Sequence, residues 1–351
     1  MSEDDTLQTS VTDPNADAIV RCRDLSVTFE MDRGTSRVLN GVDIDIRRNE
    51  IIGIVGESGS GKSMLASAML DAVVPPGITD GTITFHPEGG EQVDIFDLSE
   101  DELREFRWEE ISMVFQGALS SFNPTLDIGG HFEETLEAHG FPIGSGMDRA
   151  AELLSDLYMD PERVLKSYPH ELSGGMKQRA LIALALILEP DVLVMDEPTA
   201  ALDLLMQRSI VSLLADIRDK YDLTMLFITH DLPLVTKLAD RIGVLYAFEL
   251  AEVGTTEEIL LNPRHPYTRA LLNATPNLDA PLEDMQAIQG SAPDPVDVPS
   301  GCPYHERCPL ATMECEHDKP PMEPTSTTHD VACHHWDDVD DEIPLTTEAD
   351  Q

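Results

Sequence analysis

Gly56-Glu57-Ser58-Gly59-Ser60-Gly61-Lys62-Ser63 fits G-x-x-x-x-G-K-[ST], a phosphate-binding loop when a buried strand precedes it and a helix follows. The glycines let backbone N–H groups turn onto phosphate oxygens, and the helix adds its positive N-terminal end. Lys62 supplies a point charge for the β- and γ-phosphates, and the Ser63 hydroxyl can ligate Mg²⁺. Asp196 and Glu197 follow an apolar run, Val192–Met195. There the first carboxylate can hold Mg²⁺, and the second can orient or deprotonate water. An acidic pair in isolation is more often a helix N-terminal charge; beside a phosphate loop that reading weakens. His230, in a turn after Thr224–Thr229, is a third polar candidate at the end of an apolar run.

These residues require a sheet that delivers them to one edge. Ile51–Val55, Val192–Met195 and Thr224–Ile228 are continuous apolar runs, as expected of strands buried on both faces. Helical patterns follow at Lys62–Leu70, Arg149–Tyr158, Gly175–Leu188 and Leu204–Asp219. Strands alternating with helices imply a parallel α/β sheet, and such sheets bind ligands beyond the carboxyl ends of their strands. Leu25–Phe29 and Val42–Ile46 alternate with period two, which predicts half-exposed antiparallel strands. A helical stretch, about 120–170, interrupts the alternation as an inserted subdomain.

Leu172-Ser173-Gly174-Gly175-Met176-Lys177-Gln178-Arg179 places a capping serine before a helix whose bare N–H groups form an anion site. The octapeptide resembles the signature of ATP-binding-cassette (ABC) ATPases, and the resemblance covers roughly Val20 to Leu272. It implies a P-loop NTPase fold with a parallel core sheet, an antiparallel β subdomain and the helical insertion. It further implies ATP and Mg²⁺ at Gly56–Ser63, with the metal held by Ser63 and Asp196. Glu197 corresponds to the catalytic glutamate, His230 to the switch histidine, and Gln116 to the glutamine that senses Mg²⁺ and the membrane subunit. Asp203 corresponds to the aspartate that contacts the opposite cassette. Ser173, Gly174 and Gly175 face the nucleotide held by that second cassette. The family's adenine-stacking aromatic has no counterpart in Met31–Arg37; Phe29 is the nearest candidate.

Arg264–Leu272 and the stretch from Gly301-Cys302-Pro303 to Val331-Ala332-Cys333 resemble the C-terminal region of oligopeptide/dipeptide importer ATPases. That implies a peptide importer with integral membrane permease subunits, a second ATPase subunit and a solute-binding protein, the chain sitting on the cytoplasmic face of the cell membrane. Related importers of nickel or small sugars, and non-transport ABC ATPases, are the alternatives.

Cys302, Cys308, Cys315 and Cys333 are separated by 5, 6 and 17 residues. No C-x₂₋₄-C pair of the usual zinc kind occurs, and four irregularly spaced thiolates can hold an iron–sulfur cluster. The subfamily resemblance implies [4Fe-4S]; zinc is the rival. Cys22, in the first strand, reads as a small buried hydrophobe.

The chain has 351 residues, 66 acids and 23 bases, for a net charge of −43. Five acids before Val20 and seven after Cys333 have no basic neighbour, and without them the charge is still −31. This argues against a nucleic-acid partner, which needs a basic footprint. Six Lys against 17 Arg, with an acidic body, point to a salt-rich cytoplasm, as in a halophile, because molar salt shortens screening to about 3 Å. The expected organisation is a disordered acidic tail (1–19), an ATPase domain (20–272), a Pro/Asp-rich linker (273–300), a small Cys-rich unit (301–335) and an acidic tail (336–351).

Overall fold

The computed structural model describes residues 17–117, 121–200, 202–274 and 288–345. The expected disorder before residue 17, the linker segment 275–287 and the final residues 346–351 lie outside them.

β1 (Ala18–Met31) and β2 (Gly34–Arg47) form a long antiparallel hairpin. Ala18 and Ile19 are buried in it, so ordered structure starts before the boundary expected at residue 20. β3 (Ile51–Val55) leads into α1 (Lys62–Met69). β4 (Gly77–Phe85) pairs with β1, and β5 (Val93–Asp94) with β4, completing a four-stranded antiparallel sheet. α2 (Glu100–Glu109) starts with a reciprocal Ser99–Glu102 cap and precedes β6 (Ile111–Val114). Then come α3 (Ile128–Ala138), α4 (Ile143–Asp156) and α5 (Pro161–Leu165), capped at their starts by Asp127 in α3 and Asp160 in α5.

α6 (Gly174–Ala185), β7 (Val192–Asp196), α7 (Leu204–Tyr221), β8 (Thr224–Ile228) and the single turn α8 (Leu232–Val235) restore the alternation. β9 (Arg241–Tyr246) and β10 (Glu249–Thr255) form a hairpin, followed by α9 (Thr256–Leu261) and α10 (Pro266–Asn273). Beyond residue 288 lie α11 (Met313–His317), β11 (Glu323–Pro324), β12 (Asp330–Val331) and α12 (Val339–Glu342).

The main sheet has the order β11-β12-β10-β9-β3-β8-β7-β6. β9, β3, β8, β7 and β6 are mutually parallel; β10, β12 and β11 are antiparallel. The expected parallel core sheet is therefore a mixed one. The added strands come from the β9–β10 hairpin and from the C-terminal segment, because a two-residue connection can only reverse direction. The Cys-rich segment is thus stitched into the main sheet by β11 and β12.

Alternation along the central strands divides their side chains between two cores. Ile51, Leu193, Met195, Met225 and Phe227 face the helices, while Ile52, Ile54, Val192, Val194, Leu226 and Ile228 face the antiparallel sheet. Both faces are covered, which is why these strands read as unbroken apolar runs. Residues 336–345 are not a free acidic tail. Val339 is buried, and Asp340 takes ion pairs from Arg264 (2.6 Å) and Arg269.

Candidate active site

Because β3, β6, β7 and β8 are parallel, their carboxyl ends share one edge. The residues just beyond them are 56–61, Gln116, Glu197 and His230. The loop after Val55 curls tightly. Gly61 has φ 106°, and a Cβ there would lie 2.5 Å from the Val38 carbonyl oxygen. Gly56 has φ 156°, and its Cβ would lie 2.1 Å from the Leu245 carbonyl oxygen. Only glycine fits either place.

Lys62 is buried, and its Nζ donates to the carbonyls of Gly56 (2.9 Å) and Glu57 (2.8 Å). Burial pulls its pKa down; Glu197, Asp196 and Glu57 push it back up. Ser63 Oγ donates to Asp196 Oδ1 at 3.0 Å. Burial raises the Asp196 carboxyl, the Ser63 hydrogen bond lowers it, and the neighbouring Glu197 raises it further. Two hard oxygens at one point, one of them a carboxylate, suit Mg²⁺. Ser58, Gly59 and Ser60 complete the loop at the start of α1.

Glu197 has φ 46°, a left-handed conformation uncommon for glutamate. Its N–H donates to the Ile228 carbonyl (2.9 Å), tying the turn to β8. Both carboxylate oxygens are engaged: Oε1 lies 3.1 Å from His230 Nδ1, and Oε2 accepts from Gln116 Nε2 at 3.0 Å. An ionised carboxylate cannot donate, so Nδ1 carries the hydrogen and Nε2 is left for another partner. Gln116, Glu197 and His230, 114 residues apart along the chain at the extremes, thus form one hydrogen-bonded row beside Lys62, Ser63 and Asp196.

Ser173 and Asp203 are engaged elsewhere. Ser173 is exposed and caps α6, accepting from Met176 N (3.3 Å). Gly174 beside it is also exposed, while a Cβ at Gly175 would lie 1.9 Å from Met206. Asp203 caps α7, accepting from Leu205 and Met206 N–H at 3.0 Å. Leu204 and Leu205, which sequence patterning did not single out, follow it with 70% and 77% of their surface exposed. Phe29, the candidate base-stacking aromatic, is half-buried, its ring within 3 Å of where a Gly77 Cβ would sit. That packing on β4 leaves the ring engaged with its own sheet.

The four late cysteines converge. Cys302, Cys308, Cys315 and Cys333 line one cavity, with His265, Tyr304, His305, His334 and His335. Cys302 N–H donates to the Cys315 carbonyl (2.8 Å). Burial raises the thiol pKa values of Cys302, Cys308 and Cys333, the last two to about 12. The cavity is small, about 10 Å³ for the centre of a water molecule. Among the described residues, no three His, Cys, Asp or Glu side chains are grouped for a single metal ion. Donor type and number suit a thiolate-ligated group, but the side chains are not drawn together around a metal as they stand.

This wall adjoins the phosphate loop. Arg307, next to Cys308, grips Glu57 with Nη1 and Nη2 at 2.8 and 3.0 Å, and Tyr267 Oη accepts from Glu57 N–H at 2.8 Å. Neither residue was legible as a site residue, because no spacing rule joins position 57 to position 267 or 307.

The chain matches two known family patterns, the ABC transporter over residues 39–200 and the oligopeptide/dipeptide transporter C-terminal region over residues 251–315. It is 40% identical to the dipeptide transport ATP-binding protein DppD of Caldanaerobacter subterraneus subsp. tengcongensis, covering 91% of this chain and 98% of that protein. It is 38% identical to the oligopeptide transport ATP-binding protein OppD of Escherichia coli, covering 92% and 95%. A post-hydrolysis dimer of the cassette MJ0796 with ADP and Pi superposes with a TM-score of 0.59 at 28% identity, covering 68% of this chain and 98% of that one.

Proposed function

The chain belongs to the ABC transporter family, in its oligopeptide/dipeptide branch, and from that premise we propose that it is the ATP-hydrolysing subunit powering import of short peptides. It works with integral membrane permeases, a substrate-binding protein and a second cassette. The observation that carries the reading is the juncture of Lys62, Ser63 and Asp196 with the Gln116–Glu197–His230 row at one sheet edge. No helix among the described residues is long and apolar enough to cross a membrane; in this reading force passes to the permeases through contact. We assign that contact to the helical block of α3, α4 and α5, and the chain to the cytoplasmic face.

In this reading the loop N–H groups of residues 58–63 and Lys62 Nζ bind the phosphates. Ser63 and Asp196 would hold Mg²⁺, and the bound ion would supply neutralisation of charge developing on the transferred phosphoryl group. Glu197, oriented from both sides, takes a proton from the attacking water, and Gln116 holds its second oxygen. His230 presents Nε2 to the γ-phosphate. Ser173, Gly174 and Gly175, with Asp203 and the bare Leu204–Leu205 pair, meet the sister cassette.

We further propose that the four cysteines hold an iron–sulfur cluster of the [4Fe-4S] kind. Support comes from four thiols lining one cavity. Bound iron would add a cross-link between residues 302–315 and Cys333 to the strand pairing that already fastens this segment. Burial favours the protonated thiols of Cys302, Cys308 and Cys333, so loading would release protons. Protein purified anaerobically should be coloured and contain iron; colourless protein with one zinc per chain would replace this assignment. The function itself is tested by reconstituting the chain with its permeases and binding protein in vesicles. ATP-dependent uptake of di- or oligopeptides is expected. Uptake of nickel or a sugar in their place, or no uptake, would overturn the substrate class.

A further inference from the structure

The phosphate loop carries an acid, Glu57, where a triphosphate must bind, in a protein already at −43. That acid is compensated from 250 residues away. Arg307 meets the carboxylate with both terminal nitrogens, a fork matched to its two oxygens. The guanidinium is itself anchored: Nε donates to the Gln289 carbonyl (2.7 Å) and Nη1 to Tyr246 Oη (3.2 Å), while the rings of Tyr246 and Tyr304 lie 5.6 and 5.7 Å from its Cζ. Its side chain is 7% exposed and that of Glu57 25%. Tyr267 takes the Glu57 N–H and Lys62 the Glu57 carbonyl. The Ser60 N–H also reaches the Glu57 carbonyl (3.2 Å), so every polar group of Glu57 is held, and two of its four holders come from the region after residue 264.

We infer that Arg307 is a positioning residue for nucleotide binding: it cancels the Glu57 charge and fixes the phosphate loop, so that the C-terminal cysteine unit sets the affinity of the nucleotide site. The inference rests on the nucleotide reading of Gly56–Ser63. Arg307 touches neither substrate nor metal. It acts through Glu57, and its place in the chain, between Tyr304 and Cys308, makes its aim depend on how the cysteine unit is seated.

The distinctive consequence is rescue. If Arg307 works by cancelling a charge, deleting that charge must remove the need for it. Titration of the full-length protein with a fluorescent ATP analogue (mant-ATP, with Mg²⁺, in one fixed salt) compares the wild type with Arg307→Met, Glu57→Gln and the double variant. Arg307→Met is expected to raise Kd about tenfold, the order of an uncancelled like charge near the phosphates. With Glu57→Gln already present, adding Arg307→Met is expected to change Kd by no more than about threefold. Thermal unfolding without nucleotide separates loss of fold from loss of affinity. Should Arg307→Met not fold, Arg307→Lys keeps a cation without the fork and should fall between the two. An unchanged Kd in Arg307→Met, or the same tenfold loss when Arg307→Met is added to Glu57→Gln, overturns the inference. Failure of the wild type to bind mant-ATP would instead overturn the nucleotide reading beneath it.

Discussion

At the residue scale, Asp196 is the most instructive group. Burial and the adjacent Glu197 raise its pKa, so the fold holds its proton more readily than the unfolded chain does. The ionised form therefore opposes stability at neutral pH, and that opposition relaxes as pH falls through the raised value. Two outcomes follow. Mg²⁺ affinity should decline on acidification at a higher pH than an ordinary aspartate would dictate, because the proton competes for the same oxygen. Asp196→Asn should raise the melting temperature of nucleotide-free protein by about 1–2 °C, roughly 1 kcal/mol for a chain of this size, while removing the Mg²⁺ dependence of ATP binding. A calorimetric scan and a Mg²⁺ titration check both; a destabilised Asp196→Asn would contradict the electrostatic account. Lys62, Ser63, Asp196 and Glu197 could be read from the sequence because each sits within a few residues of an apolar run. Arg307 and Tyr267 could not, since only tertiary folding brings them to Glu57.

At the element scale, legibility followed burial. β3, β7 and β8 are apolar on both faces and were evident. β9 and β10 are equally buried but carry charges that mask the pattern. Arg241 pairs with Glu50 at 3.0 Å, and Glu252 accepts from the His265 N–H (3.1 Å) and His329 Nε2 (2.7 Å). Their connecting turn is also disguised. Ala247 and Phe248 have φ 47° and 74°, a conformation usually marked by Asn-Gly. The Phe248 N–H donates to the Ser60 carbonyl (3.1 Å) and its own carbonyl accepts from Asn40 N–H (3.0 Å), so contacts with the phosphate loop and β2 hold what the local sequence does not favour. The cap of α6 gives a prediction at this scale. Ser173→Ala should cost about 1 kcal/mol of stability, and should lower ATP turnover by the assembled pair more than nucleotide affinity of the isolated chain. Equal losses in the two assays would leave Ser173 as a helix cap alone.

At the scale of the whole molecule, charge decides behaviour. A net −43 on one chain generates self-repulsion that salt relieves. We propose adaptation to a salt-rich cytoplasm, for which the melting temperature should rise by at least about 10 °C between 0.1 and 2 M KCl, a few kcal/mol of relieved repulsion; a flat profile would refute it. The molecule is also less modular than its composition suggests. β11 and β12 extend the catalytic sheet, α12 is tied to Arg264 and Arg269, and Arg307 reaches the phosphate loop. The account stands or falls on Glu197 as the group that activates water in the assembled transporter. Single-turnover hydrolysis and MgATP binding, measured for Glu197→Gln and wild type in the same reconstituted complex, test it most directly. Binding within about threefold of wild type and hydrolysis lower by at least about 100-fold are expected; near-normal turnover by Glu197→Gln would contradict it.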